Sequence, residues 1–231
     1  VTTRDDPLPA RAIGDVRLAE RLAQGGCPVC READRSATGA IDSMLGELVS
    51  DVRLRAELDR ARGFCGRHTG AVLAADRRLS GGMLGTSILY ASIVRARMRE
   101  VAEVVQARGR ARASKAAALA RPPECPICAH VRTTVSATCQ RLVALAADPA
   151  WADAIGRAEV CGAHLSDLLA RSGGRGPWHE VEARQAERLS ALAERLDRFG
   201  HHSSHDRRHL MTADEAASVT EAARFLGGDP S

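Results

Sequence analysis

The chain has 231 residues, enough for one domain or two small ones, and a formal net charge of +4. Aromatic residues make up only 3% of it against an apolar share of 45%. Any core must therefore be built from Leu, Val, Ile and Ala, and the scarcity of β-branched runs points to an all-α protein. No apolar run approaches the roughly 20 residues of a membrane span. Val1-Thr-Thr-Arg-Asp-Asp has no secretory hydrophobic segment, so the chain reads as cytoplasmic, with no membrane partner.

Residues 1–26 read as a leader. It is loose over 1–16, then forms a short helix from Arg17 to Gln24, stopped by Gly25-Gly26. A first helical repeat is expected over 27–106. It opens on Cys27-Pro-Val-Cys30 and continues as a helix from about Arg31 to Val49, with Ile41, Met44, Leu45 and Leu48 on one face. Asp51 can cap the next helix, where Leu54 and Leu58 face inward, and Gly63-Phe64 ends it. Cys65-Gly-Arg-His68 then starts another helix, broken at Ser80-Gly81-Gly82. Leu84, Ile88, Ala91, Met98, Val101 and Val105 mark a long amphipathic helix.

Residues 107–124 read as a basic Ala/Arg linker, with Arg108, Arg110, Arg112 and Lys115 on a solvated helix end before Arg121-Pro122-Pro123. A second repeat is expected over 125–200. It begins with Cys125-Pro-Ile-Cys128, and Val131, Val135, Cys139, Leu142 and Val143 face inward. Asp148-Pro149 is a cap followed by proline at the first helical position. Trp151 and Ile155 align with Leu54 and Leu58. After Cys161-Gly-Ala-His164 the stretch 172–177 breaks the chain, as Ser80-Gly81-Gly82 does. Trp178, Val181, Gln185, Leu189, Leu192, Leu196 and Phe199 then form a seam on a second long helix. The segment 201–231 holds four of the eight histidines, His201, His202, His205 and His209, and a short helix from about Thr212 to Gly227-Gly228.

One spacing therefore occurs twice. CPxC is followed by CxxH after 34 residues in the first half and after 32 in the second, using six of the seven cysteines. Three thiolates and an imidazole are a tetrahedral ligand set for zinc; an iron–sulfur cluster is the alternative. In a reducing compartment such spacing reads as metal ligation before disulfides. The candidate ligands are Cys27, Cys30, Cys65, His68, Cys125, Cys128, Cys161 and His164, with two zincs per chain. Haem ligation through the Cys-Pro pairs is a weaker reading, because Cys30 and Cys128 account for the same residues. The shorter loop costs less closure entropy by about 1 kcal/mol, so each CPxC is expected to close with the CxxH of its own half. Cys139 is left over and reads as core filler.

Paired CPxC…GFCxxH halves resemble a bacterial family of unknown function. The matching residues are Cys27, Cys30, Gly63-Phe64-Cys65, His68, Gly85, Ile88-Leu89-Tyr90, Cys125, Cys128, Cys161, His164 and His205-Asp206, over about 27–228. The resemblance implies the fold and the repeat and carries no substrate.

The fold expected is a helical bundle of two zinc-stapled half-repeats, each closing with a long amphipathic helix. Four protein ligands close a zinc site, which marks it as structural. A binding or scaffolding role follows, with an unknown small molecule or protein as partner. The alternative is an enzyme, biosynthetic in character, that uses a cleft between the halves and the candidate catalytic residues His205, Asp206 and His209. A zinc–thiolate redox switch is a third reading. Nucleic acid is disfavoured, because there is no concentrated basic face and little aromatic surface for stacking.

Overall fold

A computed structural model describes residues 8–120, 123–174 and 178–228. The first seven residues of the expected leader, Arg121-Pro122 of the expected linker, 175–177 of the expected second break and the last three residues of the tail lie outside the described residues. Among the described residues the chain forms eleven α-helices and one 3-10 turn, and no strand. None of the helices is long and apolar enough to cross a membrane.

The helices are α1 (Ile13–Ala23), α2 (Pro28–Gly46), α3 (Val52–Ala61), α4 (Gly66–Ser80), α5 (Leu84–Gln106), α6 (Gly109–Ala120), α7 (Pro126–Leu145), α8 (Pro149–Arg157), α9 (Gly162–Ser172), α10 (Trp178–His202) and α11 (Ala213–Gly227). Their ends follow local chemistry. Asp51 accepts from the Leu54 N–H at 2.7 Å and Asp148 from the Ala150 N–H at 2.9 Å, so both expected caps form. Thr212 and Glu215 make a capping box at the start of α11. Helix α1 begins four residues before its expected start, because the Asp15 carboxylate accepts the N–H groups of Arg11 and Ala12. The stretch expected as a linker is the helix α6, which buries no residue. Its alanines supply the propensity that its composition lacks in apolar patterning.

The described residues fall into two compact units: 8–33 with 134–174 and 178–228, and 34–120 with 123–133. Each unit draws on both sequence halves, because α2 and α7 each begin in one unit and end in the other. The first unit has a core of Leu18, Val29, Cys139, Leu142, Trp151, Ile155, Leu168 and Val181. Within it, α10 packs on α8 and α11, and α9 on α11. The second unit has a core of Ile41, Met44, Leu58, Val72, Leu89 and Ile93, with α5 packed on α3, α4 and α6.

One face is turned the other way from expectation. On α5 the buried row is Thr86, Leu89, Ile93 and Ala96. Of the expected row, Leu84, Ile88, Met98, Val101 and Val105 are exposed and Ala91 is half-buried. Polar contacts set this rotation. Buried Asp76 accepts the Thr86 N–H at 2.7 Å, and Ser92 donates to Asp59 of α3 at 3.0 Å. Both anchors lie on the Leu89–Ile93 side of the helix, and an unpaired buried carboxylate would cost more than exposing a few valines.

Candidate metal centres

Each of the eight expected ligands sits at a helix N-terminus, and at the same two places in it. Cys65 and Cys161 are the N-cap residues of α4 and α9, so His68 and His164 fall three positions on. Cys27 and Cys125 immediately precede Pro28 and Pro126, the first residues of α2 and α7, so Cys30 and Cys128 occupy that same later position. The backbone agrees: the N–H groups of Arg31, Thr69, Ala129 and Leu165 donate to the carbonyls of Cys27, Cys65, Cys125 and Cys161 at 2.8–3.1 Å. N-cap and N3 side chains face one another, which is the geometry that a capping box exploits. Here the pair is Cys with Cys, or Cys with His. The proline of CPxC costs nothing at N1, where its missing N–H would be unpaired anyway.

Two such helix starts meet in each cluster. Cys27, Cys30, Cys161 and His164 bring their ligand atoms within 4.8 Å of one another, and so do Cys65, His68, Cys125 and Cys128. The expected pairing within each half is therefore overturned. The CPxC of one half meets the CxxH of the other. The closure-entropy argument treated the intervening residues as flexible chain, whereas α2 is a rigid rod of about 28 Å and α7 one of about 30 Å. Each rod carries the chain away from the CPxC that starts it, and from one compact unit into the other. A preference of about 1 kcal/mol cannot hold against that stiffness.

The spacings suit a small tetrahedral ion. In the first cluster His164 Nδ1 lies 3.4 Å from Cys27 Sγ, 3.4 Å from Cys30 Sγ and 3.1 Å from Cys161 Sγ, and the sulfurs of Cys30 and Cys161 are 3.7 Å apart. In the second, His68 Nδ1 lies 3.3 Å from Cys65 Sγ, 3.5 Å from Cys125 Sγ and 3.3 Å from Cys128 Sγ, with Cys65 and Cys128 sulfurs 3.7 Å apart. A zinc tetrahedron with ordinary bond lengths has S–S edges of about 3.8 Å and S–N edges of about 3.5 Å.

In each cluster the CxxH cysteine is the thiol shifted towards ionisation. The thiols of Cys27 and Cys30 donate to Cys161 and pull it far below the ordinary thiol range. Burial opposes ionisation at Cys65, but the His68 backbone N–H and the thiols of Cys128 and Cys125 prevail and lower it. Burial and the neighbouring sulfur of Cys65 push Cys128 up to about 12. Hydrogen bonding to the sulfurs of Cys161 and Cys27 raises His164 to about 10, whereas burial and the charge of Arg67 lower His68. Four helix N-termini, two per cluster, add partial positive charge where the thiolates form.

The C-terminal end of α11 adjoins the first of these clusters. A Cβ on Gly228 would meet Cys30 Sγ at 3.4 Å, and one on Gly162 would meet the Phe225 carbonyl oxygen at 3.3 Å. Cys139 is fully buried in the same unit. Burial and the Asp167 carboxylate push its thiol up to about 12, so it stays protonated as core.

The tail histidines do not join either cluster. His205, Asp206 and His209 are exposed, and Asp206 meets the Arg207 guanidinium at 3.6 Å. The tail residue with a built environment is His202, whose Nδ1 lies 3.0 Å from buried Glu215, which also meets Arg198 at 3.3 Å. The capping-box pattern Thr212-x-x-Glu215 was the signal available for that glutamate. No curated protein and no solved structure matches the chain. A model of a family of unknown function, DUF6062, matches residues 12–199, and the chain belongs to that family.

Proposed function

We propose that the protein is a cytoplasmic helical scaffold held by two structural zinc ions, with a binding role. The observation that carries this reading is the pair of Cys₃His clusters with sulfur–nitrogen distances of 3.1–3.5 Å. Four protein ligands leave no open position for substrate, and such a site contributes roughly 10–16 kcal/mol of apparent binding energy to a folded chain. A chain with so few aromatics gains most from that contribution.

The two sequence halves, 27–106 and 125–200, are copies of one plan of four helices, α2–α5 and α7–α10. In support, CPxC opens the first helix of each, CxxH opens the third and Ser-Gly-Gly follows it. His205, Asp206 and His209, the residues of the enzyme reading, are exposed, which favours the scaffold reading over it. Metal analysis with an absorption spectrum, on protein purified without a histidine tag, tests the proposal. Two colourless zincs per chain support it; a brown protein containing iron and sulfide overturns it.

A further inference from the structure

The outward face of α5 carries an apolar row that the fold does not use. Val94, Met98, Val101 and Val105 are 55%, 65%, 48% and 62% exposed. Their spacing of four, three and four residues is that of a coiled-coil seam. They line a shallow groove of about 460 Å³, with Arg97 and Gln106 at its edge. The long helix of the other half shows that the fold does not require such a row. Counted from Ser80-Gly81-Gly82 and Ser172-Gly173-Gly174, the same positions on α10 are Ala186, Ser190, Ala193 and Asp197, all small or polar and all exposed.

The surroundings are locally basic, a concentration of charge that departs from the expectation of no concentrated basic face. Glu100 is already paired with Arg62 and Arg97, and Glu103 with Lys115. Arg95, Arg99, Arg108, Arg110 and Arg112 are exposed and have no acidic partner among the described residues. From Val104 to Pro123 the sequence has no acidic residue. A second copy of this chain laid on the row would set arginine against arginine. A bilayer suits it less well, because the row is one residue wide and holds no aromatic anchor.

We infer that this face of α5, with the start of α6, is a docking surface for an acidic amphipathic helix of a partner protein. Apolar side chains at heptad spacing on the partner would fill the row, and its flanking carboxylates would meet the five arginines. The inference gives the proposed binding role its surface and rests on that reading.

The test uses the full metal-loaded chain and a fluorescent helix-forming peptide of about three heptads, with leucine at the two seam positions and glutamate on the flanks. A control peptide carries lysine in place of glutamate. The glutamate peptide is expected to bind at least about tenfold more tightly than the lysine peptide, and less tightly as salt is raised. The Met98→Ser/Val101→Ser variant is expected to keep both metals and lose binding at least about tenfold. No binding, equal binding of the two peptides, or unchanged binding by the variant overturns the inference. So does a dimer in sedimentation that the variant abolishes, or a preference for phosphatidylserine vesicles over the peptide. Metal content is measured on the same samples. Two zincs without peptide binding removes the surface and leaves the scaffold; absent zinc removes the scaffold reading itself.

Discussion

The side-chain amide of Gln185 donates to the Ala158 carbonyl at 2.8 Å, and to those of Gly156 and Ile155 at 3.0 and 3.2 Å. Gln185 is almost fully buried, so one side chain of α10 reaches the end of α8 and supplies the donor for the Gly156 carbonyl, while backbone N–H groups also serve Ile155 and Ala158. Gln185→Met keeps the volume and removes the donor. It should cost about 1–2 kcal/mol in urea unfolding, with both metals retained, because the Gly156 carbonyl loses its donor while those of Ile155 and Ala158 keep the N–H groups of Ala158 and Val160. A loss under about 0.5 kcal/mol would show that the Gly156 carbonyl finds water instead.

Asp15 is another buried polar anchor of that unit. Arg141 grips both its oxygens at 2.8 Å, and this pairing is the main reason that its carboxyl lies at about 2 against an ordinary 3.8. Because the folded value is depressed, the stabilisation is fully present above 3.8 and is lost as pH falls from there towards 2. Asp15→Asn should therefore cost about 2 kcal/mol, with the same gap at about pH 6 and pH 7. A gap that changes between those two conditions would assign the stabilisation to another group.

Much of this arrangement could be read from the chain, and the failures have definite causes. Caps at Asp51 and Asp148 and the glycine breaks placed most helices, because those signals act within a turn. The eight Cys and His residues stood out because type and spacing coincided twice. Which CPxC meets which CxxH was hidden. It depends on α2 and α7 behaving as rods, and closure entropy describes only flexible chain. The rotation of α5 was hidden as well. Two apolar rows compete on that helix, and the choice is made by Asp76 and Asp59, polar residues distant in sequence. His202 was lost among its neighbours in the tail, since only packing of α11 on α10 brings Glu215 to it.

Cys139 and the cluster cysteines should separate cleanly. Cys139→Ala removes one buried sulfur from the core and should cost on the order of 1 kcal/mol, with two zincs still bound. Cys65→Ala or Cys161→Ala should lose one zinc and lower the melting temperature much further, since site energy is folding energy. Loss of zinc from Cys139→Ala would contradict the ligand assignment.

The tail offers a contrast. His205→Ala and Asp206→Ala change exposed side chains outside both clusters, so each should stay within about 0.5 kcal/mol of wild type and bind two zincs. Release of a metal by either, read by zinc analysis after gel filtration, would make the tail a ligand.

Zinc stoichiometry in two double variants tests most directly whether each site is built from opposite halves. Cys30 and Cys161 belong to one cluster, and Cys65 to the other. Cys30→Ser/Cys161→Ser should therefore retain one zinc per chain, and Cys30→Ser/Cys65→Ser should retain none. The reverse result, one zinc in the second variant and none in the first, would restore pairing within each half and contradict the structure described.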